Sequence, residues 1–198
     1  MSDRQPLIVL HGYQDQPGRG PALADGDPRW QVLEPRGPVE LPGGPAWFAS
    51  DDDGPIEAQL EASVRRVQAV VGGAADRPVL GGFSQGGAIA LAAALTRPAP
   101  PSRPTTPTRG PAGVFCVNGW LPHSTRLDLD AGPLVAARTR VLVVASVDDQ
   151  VVAVQQGRSA ARWLQRAGVD VSLVELAGDH RVGPDALAAV RSWLDQSA

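Results

Sequence analysis

The 198-residue chain contains no lysine, a single cysteine and a single tyrosine. All 18 of its basic residues are arginine, and Ala, Gly and Pro are plentiful, a pattern of codon bias in a GC-rich genome that carries no functional reading. With Cys116 alone, no internal disulfide can form, and its setting in Val114-Phe115-Cys116-Val117 reads as a small buried hydrophobe rather than a nucleophile. Long apolar runs are also missing. The run Leu7-Ile8-Val9-Leu10 is too short for a signal peptide or a membrane span, so a cytoplasmic protein without integral membrane association is expected. A net charge of -3 with no basic stripe gives no reason to expect nucleic acid or an anionic membrane surface as partner. No feature of the sequence speaks to oligomeric state.

What is present is the balance of a soluble globular domain, 43% apolar and 20% charged. The length suits one domain, 1–198, with one sizeable core. Six short apolar runs, at 7–10, 32–34, 78–82, 114–118, 140–146 and 171–176, read as strands. Most are nearly continuous in apolar character, as strands covered on both faces are. Helical spacing separates them. Ile56, Leu60, Val64, Val67 and Val71 recur at intervals of three and four, between Pro55 and the stop at Gly72-Gly73. Further helices are expected at 85–96, 155–167 and 184–195. Strands alternating with helices predict an α/β fold with a mostly parallel sheet. The segment 97–111, dense in Pro, Thr and Arg, reads as a surface loop insert rather than a domain boundary.

Gly82-Phe83-Ser84-Gln85-Gly86 matches G-x-S-x-G. Alone the match is weak, but it sits where a strand ends and a helix begins, the setting its chemistry requires. Such a turn is sharp, and glycine at both flanks avoids Cβ clashes. The serine oxygen is then lifted beside a helix N-terminus, and the Gln85 N–H can face a developing oxyanion. A second donor is expected after the first strand, where the N–H of Tyr13 follows His11-Gly12.

A serine hydroxyl needs a base. Of His11, His123 and His180, the chain order serine, acid, histidine selects His180, just after the strand at 171–176. His123 is the rival, and His11 is expected to shape the oxyanion loop. The acid should follow the strand at 140–146, where Asp148 and Asp149 are adjacent; only one can meet the imidazole.

These motifs in order resemble the phospholipase/carboxylesterase family of α/β-hydrolases, which includes acyl-protein thioesterases. Leu10-His11-Gly12, Pro35-Arg36-Gly37-Pro38, Ala46-Trp47-Phe48 and Gly82-Phe83-Ser84-Gln85-Gly86-Gly87-Ala88 carry the resemblance. So do Asn118-Gly119-Trp120-Leu121-Pro122, similar to the family's Ser-Gly-x-x-Pro turn, and Gly178-Asp179-His180, similar to its Gly-x-His. Asp149-x-Val151-Val152 is similar to its Asp-x-Val-Val, which favours Asp149 as the acid. The resemblance implies an α/β-hydrolase fold, a Ser84-Asp149-His180 triad, oxyanion donors on Tyr13 and Gln85, ester or thioester hydrolysis, and no metal or organic cofactor. A trimmed sheet of about six strands without a large lid is expected. Departures are Ala145-Ser146, where the family has His-Gly, and Ala153, where it has Pro; altered loop packing rather than lost activity is expected from them. A full helix is not expected in 13–30.

For substrate, Trp47, Phe48, Trp120 and Leu121 fall in loops placed to line an apolar groove, whereas Trp30, Trp163 and Trp193 read as packing residues. A small-molecule ester or thioester with a short to medium apolar acyl group follows. Two rivals remain from the sequence: a hydrolase-fold binding module without turnover, and an acyltransferase or C–C hydrolase on the same scaffold.

Overall fold

The computed structural model describes residues 4–49, 56–97 and 110–196. A six-stranded, fully parallel sheet organises the chain, in the order β2-β1-β5-β6-β7-β8. Its strands are β1 (Gln5–Leu10), β2 (Trp30–Leu33), β5 (Val79–Phe83), β6 (Gly113–Val117), β7 (Arg140–Ser146) and β8 (Asp170–Leu176). Each lies within two residues of a run expected from the sequence.

Alternation along the strands explains their unbroken apolar character. Ile8 and Leu10 of β1, Val114 and Cys116 of β6, and Val141 and Val143 of β7 pack on one face. That face is covered by α2 (Ile56–Gly72), α3 (Gln85–Leu95) and α5 (Val154–Arg166). The intervening Leu7, Val9, Phe115, Val117, Leu142 and Val144 pack on the other, under α1 (Gly20–Ala24) and α6 (Pro184–Asp195). Both faces are buried by helices, so neither tolerates polar alternation.

Three elements have no counterpart in the sequence reading. A two-stranded antiparallel hairpin joins β3 (Val39–Leu41) to β4 (Gly44–Ala46), and α4 (Gly132–Ala136) is a short turn of helix before β7. Between 13 and 30 the helix is indeed not full: α1 has 5 residues. These pieces are too short for periodicity to report them. Most of the 97–111 insert lies outside the described residues; at its ends Arg97 pairs with Asp130 at 3.0 Å and Arg77 donates to the Gly110 and Pro111 carbonyls.

The sheet order carries the functional consequence. From β1 the chain runs outward to β2, then returns to lay β5 on the opposite side of β1. The carboxyl ends of β1 and β5 therefore flank the point where the winding reverses. Loops leaving such a point diverge and open a crevice.

Candidate active site

Ser84 leaves β5 at this crevice and caps α3 with φ 54° and ψ -121°. A left-handed φ on a serine is strained, and the surroundings enforce it. The turn is possible only because its flanks carry no side chain. A Cβ on Gly86 would stand 2.3 Å from the Leu10 carbonyl oxygen, and one on Gly82 would stand 2.6 Å from the same atom. The Ser84 N–H donates to the Val117 carbonyl at 2.8 Å, tying the turn to β6.

Three side chains from three loops meet here. His180 Nε2 lies 2.8 Å from Ser84 Oγ, and His180 Nδ1 lies 2.6 Å from Asp149 Oδ2. The other carboxylate oxygen of Asp149 accepts the N–H groups of Val151 and Val152, both at 2.8 Å. Both of its oxygens are thus engaged by donors, and its side chain is fully buried. In the tautomer with the proton on Nδ1, the ring donates to this carboxylate and Nε2 is free to accept from the serine. Phe83 packs against the imidazole with ring centroids 4.9 Å apart. Asp148 points elsewhere: its carboxylate accepts the Gly178 N–H at 3.2 Å, bracing the base of the His180 loop.

Gln85 opens α3 directly after Ser84, and Tyr13 follows Gly12, where a Cβ would stand 3.7 Å from that of Ser84. Among the described residues neither N–H donates to a protein acceptor, and the Gln85 N–H is at the positive end of α3. His11 builds the loop beneath. Its Nε2 accepts the Gly37 N–H at 2.9 Å, which forces the ring proton onto Nδ1, where it donates to the Gly12 carbonyl at 2.8 Å. The ring is 2% exposed and stacks on Trp47. Burial lowers its pKa below the ordinary histidine value, consistent with a neutral ring that must accept as well as donate. His123 is exposed and lines a separate cavity with Trp163 and Arg166.

The groove expectation needs correction. Trp47 is 0% exposed; its indole Nε1–H donates to the His11 carbonyl and its ring lies in the core. A tryptophan with its one donor satisfied inside has no surface to offer a substrate. Leu121 is also a core residue. Phe48 and Trp120 are half-buried and meet edge to face, with centroids 6.3 Å apart. Both border the serine turn. Phe48 is fixed by a hydrogen bond from Gln85 Nε2 to its carbonyl at 2.7 Å, while Gly119, before Trp120, packs on the Ser84 carbonyl.

Sequence reasoning missed the buried polar links around this relay. The Gln85 side chain joins the Trp47 N–H and the Phe48 carbonyl, and Asn118 joins the ends of β6 and β7. Glutamine inside a nucleophile-like motif and asparagine closing an apolar strand were the available signals. Cys116, beneath the site, is fully buried and its thiol is pushed up to about 12 by burial, which leaves it un-ionised. Among the described residues no group of three or more His, Cys, Asp or Glu side chains is arranged to hold a metal ion. None of the described helices is long and apolar enough to cross a membrane.

Solved structures share this architecture over almost the whole chain. The Bacillus cereus carboxylesterase superimposes with a TM-score of 0.78 at 20% identity, covering 98% of this chain and 89% of that one. Arabidopsis thaliana SOBER1 does so with a TM-score of 0.71 at 23% identity, covering 98% and 99%. The molecule is an α/β-hydrolase in fold. A family model described as phospholipase/carboxylesterase matches residues 2–198, and the chain belongs to that family. Its relatives include a probable carboxylesterase SOBER1-like protein of Arabidopsis thaliana, 30% identical over 151 residues (71% of this chain, 52% of the relative). An acyl-protein thioesterase 1 of Gibberella zeae is 32% identical over 121 residues, 60% of this chain and 47% of the relative. The chain thus spans about half the length of the curated relatives it matches.

Proposed function

We propose that the chain hydrolyses carboxylic esters and thioesters of short to medium apolar acyl groups, with Ser84 as nucleophile, His180 as base and Asp149 as the acid that orients it. The observation that carries this reading is the unbroken relay from Ser84 Oγ to His180 Nε2 at 2.8 Å and from His180 Nδ1 to Asp149 Oδ2 at 2.6 Å. The family supports it.

In the first half-reaction Ser84 Oγ forms a bond to the carbonyl carbon while its proton passes to His180 Nε2. The carbonyl oxygen takes up the electron pair and is held by the Tyr13 and Gln85 N–H groups, each such donor contributing about 2.7–4 kcal/mol. Collapse breaks the bond to the alcohol or thiol, which leaves with the proton from Nε2. Water then attacks the acyl-serine, giving its proton to Nε2 and restoring Ser84 Oγ–H as the acid departs. Asp149 orients the imidazole and stabilises the imidazolium between the two proton transfers. Phe48 and Trp120 form the apolar wall for the acyl chain.

A series of nitrophenyl esters of increasing chain length, with one acyl thioester, tests the reading on the wild type and on Ser84→Ala. The variant is expected to lose turnover and fluorophosphonate labelling while keeping the wild-type circular dichroism. Retained turnover by purified Ser84→Ala would refute the assignment.

A further inference from the structure

We infer that Asn118 is a positioning residue for His180, holding the loop that carries the imidazole through its side-chain amide; the role in turnover rests on the reading above. Asn118 follows β6 with φ 47° and is 2% exposed. Asparagine tolerates this left-handed conformation better than other side chains with a Cβ, and the turn swings its amide sideways across the ends of β6 and β7. Its backbone N–H donates to the Val144 carbonyl at 2.8 Å, which anchors the turn.

The orientation of the amide follows from its partners. The Ser146 N–H donates at 2.9 Å to one terminal atom, which must therefore be Oδ1. Nδ2 then faces three oxygens: Ser146 Oγ at 3.0 Å, the Asp179 carbonyl at 3.4 Å and the Arg181 carbonyl at 3.3 Å. Residues 179 and 181 flank His180. The two loop contacts are long individually, but they converge from either side of the imidazole on one buried donor group. Besides the contacts of the imidazole itself, the Arg181 N–H donates to the Asp179 carbonyl at 2.8 Å, and Gly178 exchanges backbone and side-chain hydrogen bonds with Asp148. Asp148 therefore fixes the loop's entry, and Asn118 fixes the height at which the ring meets Ser84.

Two substitutions separate positioning from backbone strain. Asn118→Gly suits the positive φ and removes the amide. Asn118→Asp keeps the size, the tolerance for this φ and the acceptor for Ser146 N–H, but turns an oxygen toward the Asp179 and Arg181 carbonyls. For ester hydrolysis each is expected to lower kcat by about ten- to a hundredfold, as displacement of a reacting group by about 1 Å does. KM should stay within about twofold, and fluorophosphonate labelling of Ser84 should slow in proportion to kcat. In nuclear magnetic resonance spectra the His180 Nδ1 proton, expected to be sharp in the wild type, should broaden or vanish in both variants. Ser146→Ala, which leaves the Ser146 N–H and both loop carbonyls on the amide, should keep kcat within about threefold. If Asn118→Gly and Asn118→Asp retain wild-type kcat, labelling rate and a sharp resonance, the inference fails. Absence of any Ser84-dependent hydrolysis in the wild type would defeat the proposed function instead. The resonance would still decide for or against Asn118, because it reads the placement of the ring without turnover.

Discussion

At the scale of single residues, adjacent aspartates have divergent fates. Asp149 is buried and accepts from His180 and two backbone N–H groups, whereas Asp148 is exposed and accepts from Gly178. Asp149→Asn keeps the shape but can donate to Nδ1, stabilising the tautomer whose Nε2 carries the proton and cannot accept one from Ser84. Its kcat for a nitrophenyl ester is expected to fall by up to about four orders of magnitude, as in other such triads. Asp148→Asn should lower kcat by less than about tenfold, since it weakens one loop contact and leaves the relay intact. The reverse ranking in kcat would show that the wrong aspartate has been assigned. Sequence reasoning reached both aspartates but could separate them only by resemblance. Neighbouring side chains on an irregular loop point where the local turn sends them, and no periodicity reports that direction. Trp47 illustrates the same limit: its place in a loop suggested a groove, but the carbonyl of His11 captures its indole N–H in the core.

At the scale of elements, the turn from β5 into α3 concentrates the steric demands of the fold. Helix α3 is almost wholly buried, and its first turn lies directly on the end of β1. Gly86→Ala would press a methyl group into the Leu10 and His11 carbonyls, at 2.3 and 2.4 Å in the native geometry. Backbone on both sides must move, so a loss of about 1–3 kcal/mol or more is expected, measured as a lower urea midpoint at unchanged m-value. Turnover should fall further than stability alone explains, because the displaced atoms support the Tyr13 and Gln85 N–H groups. A variant with wild-type midpoint and kcat would mean that the elbow is looser than its contacts indicate. The long elements were legible because their apolar positions repeat over three or more turns or fill a strand on both faces. The β3–β4 hairpin, with 3 residues per strand, offers too few positions for any pattern.

At the scale of the whole molecule, the stability of the native state is tied to the charge of one buried ring. His11 is held neutral by burial, with its pKa below the ordinary value of about 6.5. Above that pH the native and unfolded rings are both neutral, and its contribution to stability is complete. As pH falls through about 6.5 the unfolded chain binds a proton that the native ring rejects, so stability declines until the native ring protonates at its lower pKa. Protonation of Nε2 would also break the bond from the Gly37 N–H and loosen the loop that carries Tyr13. Urea midpoints measured from pH 8 to pH 5 should fall on the acid side, and the slope in this window should be smaller in His11→Asn. Equal slopes would remove His11 from the explanation.

The amino-acid sequence by itself determined the alternation of strands and helices, the doubly covered sheet, and the serine at a strand-to-helix turn. These follow from spacing and steric preference over a few residues, which the local chain enforces wherever it lies. The tertiary structure alone decided which aspartate meets His180, that Trp47 is interior, and that Asn118 reaches the loop at 179–181. Those partners are 31 to 63 residues apart, and only the packing of the sheet brings them within hydrogen-bond range.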